Sequence, residues 1–207
     1  MRTLDPAAHA RVRGRILVAA REVFASKGYH AASMNEVARK AGLAKAALYH
    51  YFKGKGELLR ALHREVLGDV EERLRNAPRF TKLRDALFFL GRGYLEHFKQ
   101  PGPVDMMRIA LNVNAEDPEF LRLSSNVSMP SMEVLLDEFL GPCMPKGTPA
   151  GRRRTHLQLF FGALFYYRFV LRRICAAGHL PGEAEYLNHL VGVFSTVPRR
   201  QKKRSPF

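Results

Sequence analysis

Lys45, Ala46, Tyr49 and His50 are spaced to share one side of a helix, at about 100° per residue. Lys45 supplies a cation that can reach a phosphate or a guanine edge. Tyr49 and His50 carry polar ring atoms that can bond to phosphates or base edges. Ala46 is small enough for close approach and can meet a thymine methyl. The other side of the stretch holds Ala47, Leu48, Tyr51 and Phe52, an apolar set that should face a core. A helix divided in this way suits insertion into the major groove of a DNA duplex.

So short a helix is unstable by itself, and neighbours must hold its buried side. Residues 33–44 supply the nearest of them. Ser33 can cap a helix, with Glu36 three residues later as the partner in a capping box. Met34, Val37, Ala38 and Ala41 then recur at helical spacing. Gly42 stands where a left-handed residue would end the helix. Leu43 can pin the turn into the core. Ser33 and Met34 at this helix start count with the candidate DNA-binding residues, as do Lys53 and Lys55 just beyond the second helix. Helix, glycine turn and helix over residues 33–52 make a helix-turn-helix. A plain αα-corner in a helical core has the same pattern.

The chain around this stretch resembles the TetR family of bacterial transcriptional regulators. The matching residues are Arg15-Ile16-Leu17, Ala19-Ala20, Val23-Phe24, Gly28-Tyr29, Val37-Ala38, Ala41-Gly42-Leu43, Leu48-Tyr49, Tyr51-Phe52, Lys55 and Glu57-Leu58-Leu59. They run without gaps over about residues 10–70. The resemblance implies an all-α fold with an N-terminal three-helix DNA-binding head at 10–70. A C-terminal helical domain for effector binding and dimerisation, residues 78–197, would follow. It also implies a homodimer, a double-stranded DNA operator, an unidentified small-molecule effector and a repressor released by that effector. Ala44 departs from the family, which usually has Ser or Thr there, and Ala is worse at an N-cap by about 1 kcal/mol. Gly54 and Gly56 depart from the family pattern at the start of the next helix.

Composition agrees with an anionic partner. The 207 residues carry a net charge of +15, with a sequence pI near 10.3, which favours nucleic acid or another anionic surface. Residues 1–60 hold 12 Lys and Arg against 4 Asp and Glu, and the remaining 147 hold 22 against 15, so the first part is more than twice as dense in net positive charge. The N-terminus has no apolar signal region, and the longest apolar run, about 157–167, is shorter than the roughly 20 residues of a membrane span. A cytoplasmic protein without membrane contact is expected. Two cysteines, Cys143 and Cys175, are too few for a disulfide framework.

Read in order, residues 1–9 look disordered. Arg11, Arg13 and Arg15 lead into a first helix that runs to about Lys27 and is capped by Gly28. They either lie along a DNA backbone or form a solvated helix start. A long helix at about 55–76 follows the motif and stops before Pro78. Further helices are expected at about 81–99, 103–114, 117–140, 151–177 and 182–196, with Pro130 kinking the third of these. Residues 198–207 form a basic flexible tail.

The middle helices are rich in Met and Phe. Phe89, His97, Phe98, Met107, Arg108 and Met129 are the candidate effector residues. They make either an apolar pocket with polar anchors or an ordinary core. Arg92, Arg108 and His97 could meet a carboxylate. The stretch 151–177 is apolar nearly all round, so it must be buried on more than one side. The resemblance assigns it and 182–196 to a dimeric four-helix bundle, with Phe161, Phe165, Phe169, Leu190 and Phe194 as candidate interface residues.

No HExxH, zinc-spaced cysteine pair, GxSxG or dinucleotide fingerprint is present. No catalytic residue, metal ligand or cofactor is therefore expected, and the chain is read as a non-enzyme. A charge-driven, non-specific nucleic-acid binder and a helical small-molecule binder without operator function remain as alternatives.

Overall fold

A computed structural model describes residues 5–112, 134, 136–175 and 179–195. All regular structure among them is helical. They form two compact units. Residues up to 76 together with 98–112 make the first, and residues 77–97 with the described residues from 134 onward make the second.

The first unit is built on α1 (Pro6–Lys27). Asp5 caps it by accepting from the Ala7 N–H at 3.0 Å, and Pro6 is its first residue. Asp-Pro is a strong helix start, because proline lacks only an N–H that would be orphaned anyway. Residues 6–9 are therefore helical, which corrects the disorder expected there. The helix buries Ile16, Leu17, Ala20, Val23 and Phe24, and ends at Gly28 with a φ of 82°. Three helices follow: α2 (Met34–Lys40), α3 (Lys45–Tyr51) and α4 (Lys55–Arg75). Their apolar residues join α1 in one core, with Phe24, Val37, Leu48, Phe52, Leu58 and Leu59 at 2% exposure or less. Each fully buried side chain of this size contributes about 1.5–3 kcal/mol.

Helix α6 (Pro101–Asn112) completes this core with Met106 and Ile109. Arg21 of α1 meets Asp105 of α6 at 3.7 Å. The boundary read from the sequence puts these residues in the second domain; in the structure they pack with the head. Helix α6 also starts two residues earlier than expected, because Pro101 and Pro103 both fall in its first turn, where proline is tolerated.

The second unit contains α5 (Leu83–His97), α7 (Ala150–Phe165) and α8 (Glu183–Phe194). Helix α5 presents Leu83, Ala86, Leu87, Leu90, Gly91 and Leu95 to the interior. Gly91 permits close approach: a Cβ there would stand 2.3 Å from Leu187 and 3.2 Å from Phe160. Helix α7 passes into a π-helical segment, Tyr166–Leu171, before a last turn at Arg172–Ile174. The uninterrupted helix expected over 151–177 is thus broken in register. The Tyr167 hydroxyl donates to the Pro181 carbonyl at 2.8 Å, and its ring stacks on Tyr186 at 4.1 Å. At the N-terminal end of α7, Arg153 makes a two-pronged bond to Asp137, with both distances 2.6 Å. Most of the helix expected at 117–140, including Pro130, lies outside the described residues, as does the tail at 198–207.

Candidate nucleic-acid interface

Assembly of the site begins at Ser33. Its Oγ accepts from the Glu36 N–H at 3.3 Å, while the Glu36 carboxylate accepts from the Ser33 N–H at 3.0 Å. This is a complete capping box. Glu36 also accepts from the Lys27 ammonium. Those bonds, that from Lys27 foremost, hold the Glu36 carboxyl down to about 2. Ser33 is thus committed to the cap. Met34 is 8% exposed and sits in the core, so its side chain packs the head and does not face DNA.

The turn after α2 is a Schellman motif. The Leu43 N–H bonds to the Ala38 carbonyl at 2.9 Å and that of Gly42 to Arg39 at 3.2 Å, with Gly42 at a φ of 66°. Arg15 reaches in from α1 and donates from Nη2 to the Ala41 carbonyl at 2.6 Å.

Helix α3 then starts at Lys45 without a side-chain cap, as Ala44 dictates. Leu48 and Phe52 are sunk in the core. Tyr51 is half-buried and stacks on His9 at 4.6 Å. Lys45, Ala46, Tyr49 and His50 are exposed on the other side. Lys53 is exposed too, and its N–H donates to the Glu57 carboxylate at 2.7 Å, which secures the start of α4. Lys55 is half-buried and bonded to the carbonyls of Tyr29 and His30. The exposed side of α3 thus combines one cation, two polar rings and a small residue on a helix whose other side is fastened. That set can bond to phosphates and base edges.

Three contacts from α1 were not read from the sequence: His9 on Tyr51, Arg13 over the Phe52 ring at 5.3 Å, and Arg15 on Ala41. The signal was present, since His9, Arg13 and Ile16 recur at helical spacing next to the buried stripe.

The candidate effector residues do not gather in one unit. Phe89 and His97 lie in the second unit, with Phe89 in a ring cluster with Phe80 and Phe139. Phe98, Met107 and Arg108 lie in the first. Phe98 is buried, and exposed Arg108 pairs with Asp105 at 3.3 Å. Met129 lies outside the described residues.

Among the candidate interface residues, Leu190 is buried within the second unit, because α8 turns Leu187, Leu190 and Val191 inward. That placement corrects its assignment to a surface. Phe161 is half-buried beside Tyr94, Phe165 beside Phe169, and Phe194 against Phe160 and His156. The large apolar side chains exposed on α7, its π-helical extension and α8 are instead Leu159, Tyr166 and Val193. The repeat of residues 159 and 166 at a helical seven-residue interval was visible in the sequence.

A four-helix head that exposes such a residue set from the second helix of its motif defines a helix-turn-helix protein. The model of the bacterial regulatory proteins of the tetR family matches residues 16–62. The chain is 40% identical to the HTH-type transcriptional activator FasR of Mycolicibacterium smegmatis, over 42% of this chain and 42% of that protein. It is 28% identical to the HTH-type transcriptional repressor AcnR of Corynebacterium efficiens, over 71% of each chain. The fold is shared with the fatty acid degradation regulator FadR of Bacillus halodurans, with a TM-score of 0.68, 20% identity, and 94% of this chain and 97% of that one covered. The match identifies residues 16–62 as a tetR-type helix-turn-helix region. The chain's match to FasR spans less than half the length of that relative. Among the described residues, no helix is long and apolar enough to cross a membrane.

Proposed function

We propose that this protein is a ligand-responsive, sequence-specific DNA-binding transcriptional regulator, a repressor released by a small-molecule effector. The observation that carries the reading is the side of α3 formed by Lys45, Ala46, Tyr49 and His50, exposed on a helix anchored by Leu48 and Phe52. Lys45 and His50 would bond to phosphates or base edges, Tyr49 would donate to either, and Ala46 would permit close approach. Lys53 would add a backbone contact.

On this reading the protein works as a homodimer. Two heads would enter successive major grooves at half-sites ~34–36 Å apart. The exposed Leu159, Tyr166 and Val193 support a pairing surface on the second unit. An effector of apolar character, with one acidic end, would bind among the Phe- and Met-rich helices and favour a head spacing that fits DNA less well. Its leverage is limited to its difference in affinity for the two states. The reading involves no catalytic step, cofactor or membrane, and it places the protein in the cytoplasm. Relatives named as activator and as repressor both occur; a reporter strain tests the sign, and loss of the protein should raise expression of the regulated gene.

Selection of binding sites from random DNA, followed by titration of the selected and a scrambled duplex, tests the core of the reading. Preference for the selected duplex is expected. Equal affinity for both would replace it with charge-driven, non-specific binding.

A further inference from the structure

The turn between α2 and α3 decides where α3 points, because α3 is weakly fastened at its own start. Ala44 offers its first N–H groups no side-chain oxygen. The backbone bonds of the turn satisfy the carbonyls of Ala38 and Arg39. The Ala41 carbonyl, at the C-cap on the negative end of α2, accepts from the Arg15 guanidinium at 2.6 Å. A cation is favoured there by the helix dipole, and a charge-assisted bond is stronger than a neutral one. Gly42 lies under the same guanidinium: a Cβ on it would stand 3.4 Å from Nη2. Helix α1 also touches the far end of α3, through Arg13 over Phe52 and His9 on Tyr51. The N-terminal half of α1 thus holds both the turn that precedes α3 and the far end of α3.

We infer that Arg15 is a positioning residue for DNA reading: it holds the turn so that the exposed side of α3 meets base edges, and it is not a phosphate contact. The inference rests on the operator-binding reading above. The two roles differ in what they predict. A lost phosphate contact weakens binding to every duplex and lowers the salt slope by about one. A lost positioning contact weakens binding only where base edges are read.

The test uses the full chain, the duplex selected from random DNA and a scrambled duplex, titrated over a range of salt concentrations. Arg15→Ala should lose roughly tenfold in affinity for the selected duplex, the scale of one charge-assisted bond. It should stay within about twofold on the scrambled duplex, with the salt slope unchanged. Arg15→Lys keeps a donor of similar reach and should recover most of the preference. The penalty of Tyr49→Phe should shrink in the Arg15→Ala background, since a displaced Tyr49 has less to lose. Arg15→Gln carries the same comparison if the alanine variant does not fold. Equal losses on both duplexes with a slope lowered by about one would make Arg15 a phosphate contact and overturn the inference. Unchanged preference in Arg15→Ala would overturn it as well. A wild-type protein without preference would remove the operator-binding reading and this inference together.

Discussion

The ammonium of Lys55 donates to the backbone carbonyls of Tyr29 and His30 at 3.0 and 2.9 Å, and stands 5.0 Å from the centre of the Tyr29 ring. Tyr29 is itself buried, edge-on to Phe24. One side chain thus sews the start of α4 to the loop between α1 and α2. The sequence counts Lys55 with the candidate DNA-binding residues, but two of its three N–H groups are taken up inside the head. Lys55→Met keeps much of the apolar stem and removes both bonds. It should cost about 1.5–3 kcal/mol of unfolding free energy, the range for bonds to a charged group. Urea denaturation measures this, and an unchanged midpoint would mean that the stitch contributes nothing.

On the proposed reading, helix α3 separates binding from folding between two adjacent residues. Tyr49 is 43% exposed and Leu48 fully buried. Tyr49→Ala should weaken binding to the selected duplex by about 1–3 kcal/mol if it reaches a base or a well-placed phosphate, with the melting temperature unchanged. Leu48→Ala should cost about 2–5 kcal/mol of stability and lose binding only through unfolding. Fluorescence anisotropy paired with thermal melts distinguishes the two. Loss of stability in Tyr49→Ala would show that its ring belongs to the core.

The head was legible because its signals are local. Ser33 with Glu36 marks one helix start, Gly28 and Gly42 mark two ends, and the apolar spacing marks the faces. What escaped was the partner choice of long side chains. Arg13, Arg15 and Lys55 read as solvent- or phosphate-facing cations, yet each crosses to another element. Nothing in a linear spacing tells a guanidinium which carbonyl 26 residues away will accept from it. The same limit applies to α6. Its stripe is that of any amphipathic helix, and only the three-dimensional core shows that Met106 and Ile109 pack with the head. In the second unit, the apolar run is buried on the side of Leu157, Phe160 and Leu164, while Leu159 and Tyr166 stay exposed. The run hides the π-helical shift at Tyr166–Leu171, which has no sequence signature of its own.

Acid should loosen the head through Glu36. Lys27 and Ser33 hold its carboxyl down to about 2, whereas an unfolded chain titrates near 4.3. The native value is the lower one, so protons bind the unfolded chain first as pH falls. The stabilisation is complete above about pH 4.5 and is lost progressively towards pH 2. Glu36→Gln should lower stability near neutrality and flatten the acid limb of the curve. Asp137 in the second unit is shifted in the same direction by its bonds to Arg153, and Asp137→Asn should act likewise there. Thermal melts from neutral to acid pH test both. Parallel curves for wild type and Glu36→Gln would refute the assignment to Glu36.

The proposed dimerisation can be separated from folding by choosing apolar side chains that the second unit leaves exposed. Leu159 is 59% and Val193 70% exposed, one on α7 and the other on α8. The two helices are joined by the His156 ring bonded to the Phe194 carbonyl at 2.7 Å and by contact of the Phe160 and Phe194 rings. Gly162 and Gly192 lie close by in sequence, and a Cβ on either would meet nothing within 4 Å. Small residues there would let a second copy approach closely. Leu159→Asp and Val193→Asp place a charge where the protomer has solvent, so helix content and monomer stability should hold. If those side chains are central to the pairing surface, each should weaken association by roughly 2–4 kcal/mol. Affinity for a two-half-site duplex should fall with it, since the second head is no longer tethered. Phe160→Asp, by contrast, buries a charge at a fully enclosed position and should unfold the unit. Sedimentation velocity at micromolar concentration distinguishes these cases. A monomeric wild type, or aspartate variants that sediment as dimers, would remove this surface from the assembly.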